Sequence, residues 1–586
     1  MFDNWKNLLV LSLFFSSCAV GFADEFPQKA ISTHAGIVIR LKQPGETRQK
    51  LTSIMNQVDE SLSTILQGNL RTFLGRAISN PTMAGVDNTR DMCVGVFLSE
   101  TKRPGLLYVI PVNDGPAFAA ELNEKYKKTV IQDKWILYSE DQSLVDVALE
   151  VTKDPILNFQ TQMSEEAKAL FASGDMSVYV NSEKLVTVYQ SQLELAGQQL
   201  EQALNRISKT VKTTPGVNTK PILSLYSTLG KGALQAVQDS HSYTTALTVE
   251  QGGIGLESLF EVKSDSQTDQ LFQKNPPQKF EQLGQFPAGQ LAYFAGAGNT
   301  DALITWGMNF TAQMFDETAE NQEARQKFDS IVKAIRSLKF GSYYFSFELG
   351  RLSEGVLNAY TVSEVSPSAE MRKYTRQMMA MMKNMSLPGV KQEIKYTPDA
   401  EKIGDETVDL TVIKQEVDLG SDPLQVQKRM LEILYGPEGI TNRMAYPEGK
   451  VLQAMGGTAS MKKLLDALNA PDSSSEIAKN QPAFQEARKQ GLKEANILAL
   501  VDVPVTVARI HNVLSESRRQ EGLFSDELLK KQGITASYLS FSLGMRKQAM
   551  VTKTYLPVKT LQGGFKVFTI ISSQKFSQQS EKQKNN

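Results

Sequence analysis

The sequence predicts an α+β fold: two tandem related domains, each a mainly antiparallel sheet with helices on one face, with a helical hairpin inserted. Three observations carry that expectation. First, paired runs of alternating apolar and polar residues flank a turn at Val94–Val112, Ser242–Val262, Ser342–Val362 and Ser537–Val558. Period-two alternation broken by a turn is the pattern of a β-hairpin, with one face of each strand turned to a core. Second, hairpins rather than long crossovers imply antiparallel pairing. Third, the same order of elements appears on both sides of residues 271–289, the sign of one unit duplicated.

The chain opens with features of a secretory signal peptide over residues 1–23. Lys6 precedes an apolar run from Leu8 to Phe15, and the small residues Gly21 and Ala23 suit cleavage before Asp24. A rival reading makes Cys18 a lipid-modified end, since Phe15-Ser16-Ser17-Cys18 is similar to a bacterial lipobox that usually carries Leu where Phe15 stands. Either reading places the chain outside the cytoplasm, in the periplasm or secreted. No later run approaches the roughly 20 apolar residues of a membrane helix, so no transmembrane segment is expected in the mature chain.

The first domain is expected over residues 24–270. Gly36–Leu41 reads as a strand, and Glu46–Val58 as an amphipathic helix with Leu51, Ile54, Met55 and Val58 on one face. The Val94–Val112 hairpin, a helix at Pro116–Tyr126, a strand at Lys134–Tyr138 and a helix at Ser143–Val151 follow, then a strand at Met176–Val180. Residues 183–238 form the helical hairpin. Its first helix has an apolar seam at Leu193, Ala196, Leu200, Leu204, Ile207 and Val211, and Pro215-Gly216 marks the turn.

Residues 271–289, polar and holding Pro276-Pro277, are expected to link the domains. The second domain, 290–571, restarts the order with Gln290–Ala295 as strand and Ala302–Phe315 as helix. An insertion at about 389–435 supplies a strand pair and the helix Pro423–Leu434. Lys450–Leu468 repeats the pattern of Lys134–Val151, and Glu494–Asp502 that of the strand at Met176–Val180. Residues 572–586 are polar enough to read as a disordered tail. This layout resembles that of uncharacterised exported bacterial proteins built from a duplicated α+β unit, and the resemblance implies no residue roles.

Composition excludes several chemistries. A net charge of -1 over 586 residues gives no bias toward nucleic acid. Only Cys18 and Cys93 are cysteines, and His34, His241 and His511 share no metal-ligand spacing, so neither a metal nor another cofactor is expected. Gly296-Ala297-Gly298 is similar to the start of a dinucleotide loop, but Asp301 stands where the third glycine belongs and would repel a pyrophosphate. Ser460-Met461-Lys462-Lys463 matches the S-x-x-K of serine enzymes, in which the lysine one turn on assists proton transfer. Ser99–Lys102 fits the same pattern in a hairpin turn, so a capped helix start explains it as well.

Three functions are therefore weighed. The leading expectation is a non-enzymatic exported binding or scaffold protein of the cell envelope, the helical hairpin 183–238 either packing its own two helices together or gripping another protein. One alternative is a carrier of apolar ligands, lipid or peptide, using the Met-rich helix at 371–385, because thioethers adapt to varied apolar shapes; a helix covering the second domain's sheet explains the stripe as well. The other is a serine hydrolase using Ser460 and Lys463. No catalytic residue is assigned.

Overall fold

The computed structural model describes residues 26–101, 103–131, 134–211, 220–298, 326, 329–350, 355–382, 391–416, 422–518 and 520–584. The signal peptide, Cys18 and the helix expected at 302–315 lie outside them. The chain divides into two compact units. One holds the described residues of Met1–Ala196, Ala233–Gln273 and Lys547–Gln562; the other holds those of Gly197–Gly232, Lys274–Arg546 and Gly563–Asn586.

The first unit contains strands β1 (Ile37–Leu41), β2 (Met92–Phe97), β3 (Gly105–Pro111), β4 (Lys127–Ile131), β5 (Trp135–Ser139), β6 (Met176–Asn181), β7 (Ser240–Glu250) and β8 (Gly253–Val262). Helices α1 (Pro44–Val58), α2 (Glu60–Ala77), α3 (Gly115–Glu121), α4 (Gln142–Val151), α5 (Glu165–Ser173) and α6 (Ser182–Val188) lie between them; α7 (Gln190–Val211) and α8 (Lys220–Asp239) follow α6 in the chain, with the described residues of Gly197–Gly232 belonging to the second unit.

The second unit has β9 (Ala292–Gly296), β10 (Lys339–Leu349), β11 (Leu357–Ser366), α9 (Ser368–Met382), β12 (Lys391–Ile403), β13 (Glu406–Glu416) and α10 (Asp422–Tyr435). It continues with β14 (Ile440–Ala445), β15 (Lys450–Met455), α11 (Ser460–Asn469), α12 (Pro482–Gln490), β16 (Ile497–Val501), α13 (Val503–Ser517) and β17 (Leu539–Arg546). The last elements of the chain are β18 (Ala549–Pro557), which belongs to the first unit, and α14 (Val558–Lys584). That helix runs on through residues expected as a tail.

Among the described residues, the strands pair antiparallel. The first unit's strands run in the order β4-β5-β3-β2-β1-β6-β7-β8-β18. The second unit's run β12-β13-β14-β15-β11-β10-β9-β16-β17. From β4 to β7 the first order is repeated by β14 to β17 in the second, with β12 and β13 added outside β14.

Register repeats as well as order. Ile37 stands opposite Val96 and Val180; Ala292 stands opposite Phe347 and Val501. Local bonds follow suit. Asn181 N–H donates to the Gly36 carbonyl at 2.8 Å, and Asp502 N–H to the Leu291 carbonyl at 2.8 Å. The same two side chains cap the helices that follow, accepting from Lys184 N–H and Val505 N–H. The two units thus share one order, one register and one pair of helix caps, with different amino acids at the cap.

In the first unit, alternation places Val38, Leu107, Val109, Leu137 and Tyr179 against Ala148 of α4 and Phe171 of α5. Leu41, Tyr108, Ile110, Ile136 and Tyr138 point the other way, against Leu74 of α2 and Phe118 of α3. The second unit buries Tyr293, Tyr344, Tyr360, Leu452 and Leu498 with Met461 and Leu464 of α11 and Phe484 of α12. Phe280, Leu283 and Phe286, within the stretch expected to link the domains, are buried in that same core.

Candidate functional site

A concavity lies in the first unit, where α1 and α2 pack side by side. Gln43, at φ 39°, turns the chain out of β1, and Pro44 starts α1 with its ring already at helical φ. A single residue, Asp59, joins the helices; its carboxylate accepts from Ser61 N–H at 2.9 Å and caps α2. Leu51 and Ile54 of α1 and Leu70 of α2 meet Val249 of β7. Each such burial contributes about 1.5–3 kcal/mol.

That packing leaves a cleft of about 190 Å³ between the helices and the loop before β2. Leu41, Pro44, Leu51, Leu70, Leu74 and Met83 supply its apolar wall, and Thr47, Arg48, Arg71 and Asn88 its polar groups. Thr47 is turned away, donating its hydroxyl to the Lys42 carbonyl at 2.7 Å. Arg48 and Arg71 are exposed at the rim, and Arg71 Nη2 donates to the Thr82 carbonyl at 3.1 Å. Gly45 N–H donates to the Asn88 carbonyl at 2.8 Å, and a Cβ on Gly45 would stand 3.0 Å from that oxygen. Glycine there lets the loop come close enough to close one end.

Ser460 and Lys463 are not assembled as a nucleophile and its base. The Ser460 hydroxyl is buried and donates to the Gly457 carbonyl at 2.8 Å. Lys463 Nζ instead reaches Glu348, at 2.6 and 2.8 Å from its two oxygens, and lies over the Tyr360 ring. The helix start uses Ala459 as its N-cap, with no side-chain cap.

The other sequence features are dispersed. Cys93 is fully buried, and that burial pushes its thiol up, away from reactivity. His241 Nδ1 lies 3.4 Å from Glu183, and His511 stands edge-on to Phe524. No group of three or more His, Cys, Asp or Glu side chains could hold a metal ion among the described residues. No helix among the described residues is long and apolar enough to cross a membrane.

The Met-rich helix is fixed by charge rather than by thioethers, which sequence reasoning missed. Arg372 and Arg376, one turn apart on α9, both bond Asp409 of β13, at 2.7 and 3.0 Å, and Asp399 at 2.9 Å each. Asp409 is 1% exposed and also accepts from Tyr396 at 2.6 Å. Burial alone would raise its pKa; the donors Arg376, Arg372, Tyr396 and Asp399 N–H outweigh that and hold its carboxyl well below the usual range. Met371 packs beside Tyr374 against Leu338, Val365 and Val451, while Met378, Met379 and Met381 are half-buried. The i,i+4 arginines were visible in the sequence; their partners, more than twenty residues on, were not.

No known protein-family model and no curated protein matches the chain. Among solved structures, it is similar to two crystal forms of TP0453, at 10% identity over 50% of this chain and 97% of that one. The TM-scores are 0.20 and 0.19. At that level the likeness bears on neither fold nor function.

Proposed function

We propose that this chain is a non-enzymatic, exported binding protein of the cell envelope, and that the α1–α2 cleft of the first unit receives an apolar ligand. The cleft carries the reading. It offers a preformed apolar wall and a few polar groups, the usual make-up of a small-molecule site. None of its lining residues is a nucleophile held beside a base. The commitment of Ser460 to a backbone carbonyl and of Lys463 to Glu348 supports a binding role over hydrolysis. Titration of the full chain with a solvatochromic naphthalene probe tests the site. Saturable blue-shifted emission is expected, lost on Leu74→Trp, which fills the cleft; equal emission from that variant would move the site elsewhere.

A second reading rests on a separate observation. Helices α7 and α8 pack on each other, with Lys231 Nζ 3.0 Å from Glu201 and a notional Gly230 Cβ only 2.5 Å from Leu200. Tyr226 and Leu229 nevertheless remain 59% exposed, alongside Ile207 at 48%. Large apolar side chains kept in water favour another protein as partner for the hairpin 183–238.

A further inference from the structure

Resting on the binding reading above, we propose that the cleft's ligand is a short amphiphilic monoanion: an alkyl carboxylate whose tail lies on Leu51, Leu70, Leu74 and Met83 and whose head meets Arg48 and Arg71. Charge is the first argument. Among the described residues the lining holds two guanidiniums and no carboxylate, one cation from each helix. A neutral guest leaves those two like charges facing one solvent pocket, whereas a carboxylate joins both through charge-assisted hydrogen bonds. Arg71 spends only Nη2 on Thr82, and a guanidinium has five N–H donors, so its fork keeps donors to offer.

Size is the second argument. The cleft's 190 Å³ lies below the range usual for drug-sized ligands. Taking roughly 30 Å³ per water-sized group, it admits about six to eight non-hydrogen atoms. A phosphate head would fill most of that space and leave little tail to cover the four apolar side chains. A carboxylate, three non-hydrogen atoms itself, leaves room for a tail of about three to five carbons. Long diacyl lipids do not fit.

Ligand-observed NMR titration of the full chain with hexanoate and 1-hexanol tests the inference. Hexanoate should bind about tenfold more tightly than 1-hexanol, with the advantage shrinking as salt is added. Arg48→Gln and Arg71→Gln should each weaken hexanoate severalfold and leave 1-hexanol unchanged. Leu74→Trp should abolish binding of both, with an unaltered circular dichroism spectrum showing the fold intact. Equal affinity for hexanoate and 1-hexanol would overturn the head-group assignment and leave the apolar cleft standing. Binding of neither probe, or undiminished binding by Leu74→Trp, would overturn the cleft itself.

Discussion

Arg40 and Asp91 form an ion pair out of contact with water, Nη2 to Oδ2 at 2.7 Å, with side-chain exposures of 0% and 1%. Arg40 Nη1 also donates to the carbonyls of Phe171 and Ala172 at 2.9 and 3.0 Å, so the cation sits at the C-terminus of α5, where the helix dipole favours it. Removing one member strands the other. Arg40→Met should destabilise the first unit by about 3–5 kcal/mol, whereas Arg40→Met with Asp91→Leu should cost less than Arg40→Met alone. Hydrogen exchange of β1 and α5 amides measures both.

Asp409 predicts an acid-side effect. Its folded pKa is depressed, so its contribution is present above about pH 4 and is lost as pH falls through the folded value. Asp409→Asn should cost about 2–3 kcal/mol at neutral pH and flatten the acid slope, read as faster exchange of α9 amides. An acid slope as steep as that of the wild type would place it in other carboxylates.

Much of the sheet was legible because half-buried strands announce themselves by alternation, and the repeated order came from comparing one half with the other. The order of elements did not settle the residue-by-residue match. Val180 stands opposite Tyr243 and Val501 opposite Leu539, so Tyr243 corresponds to Leu539 and not to Tyr538. Ser342 lies on β10, which pairs with β9 as β2 pairs with β1, so the Ser342–Val362 hairpin answers to Val94–Val112. The cleft was half legible. Periodicity named Leu51 and Ile54 as an apolar face, but Arg48, Arg71 and Asn88 converge only because Asp59 folds α2 back on α1. Phe280, Leu283 and Phe286 show the same limit, since the two prolines nearby outweighed a three-residue apolar spacing.

Asp175 acts in the opposite sense to Asp409. It is 1% exposed, and burial pushes its pKa up to about 6, although Val249 N–H at 3.0 Å and the cations Lys50, Lys42 and Arg40 pull it down. The folded state therefore favours the protonated acid. Its contribution is complete below about pH 4 and is lost as pH rises through about 6, a loss of at most about 3 kcal/mol. Asp175→Asn keeps an acceptor for Val249 and cannot ionise, so urea unfolding of the variant should lose this slope. A variant as pH-dependent as the parent would show the slope arising elsewhere.

Ser460 should resist an activity-based fluorophosphonate probe. Its hydroxyl is buried and its proton is directed at Gly457, while Lys463 is held by Glu348. Wild type and Ser460→Ala are expected to label equally, at background. Freeing Lys463 by Glu348→Gln should not create labelling. Label confined to the wild type would restore hydrolysis as a reading.

The helical hairpin offers a test in which stability and binding part company. Tyr226 and Leu229 are both 59% exposed, so replacing them with serine removes little buried area and should shift stability by no more than about 0.5 kcal/mol. If the hairpin grips a protein, those side chains supply the apolar contact, and their loss should fall on recovery of that partner from an envelope extract. Gly230→Leu is the complementary variant. Its side chain would meet Leu200 within the hairpin, prising α7 from α8 while leaving Tyr226 and Leu229 in place. Recovery lowered by Tyr226→Ser and Leu229→Ser, without lowered melting temperature, assigns the contact to the exposed face; recovery lowered only by Gly230→Leu assigns it to the hairpin's shape.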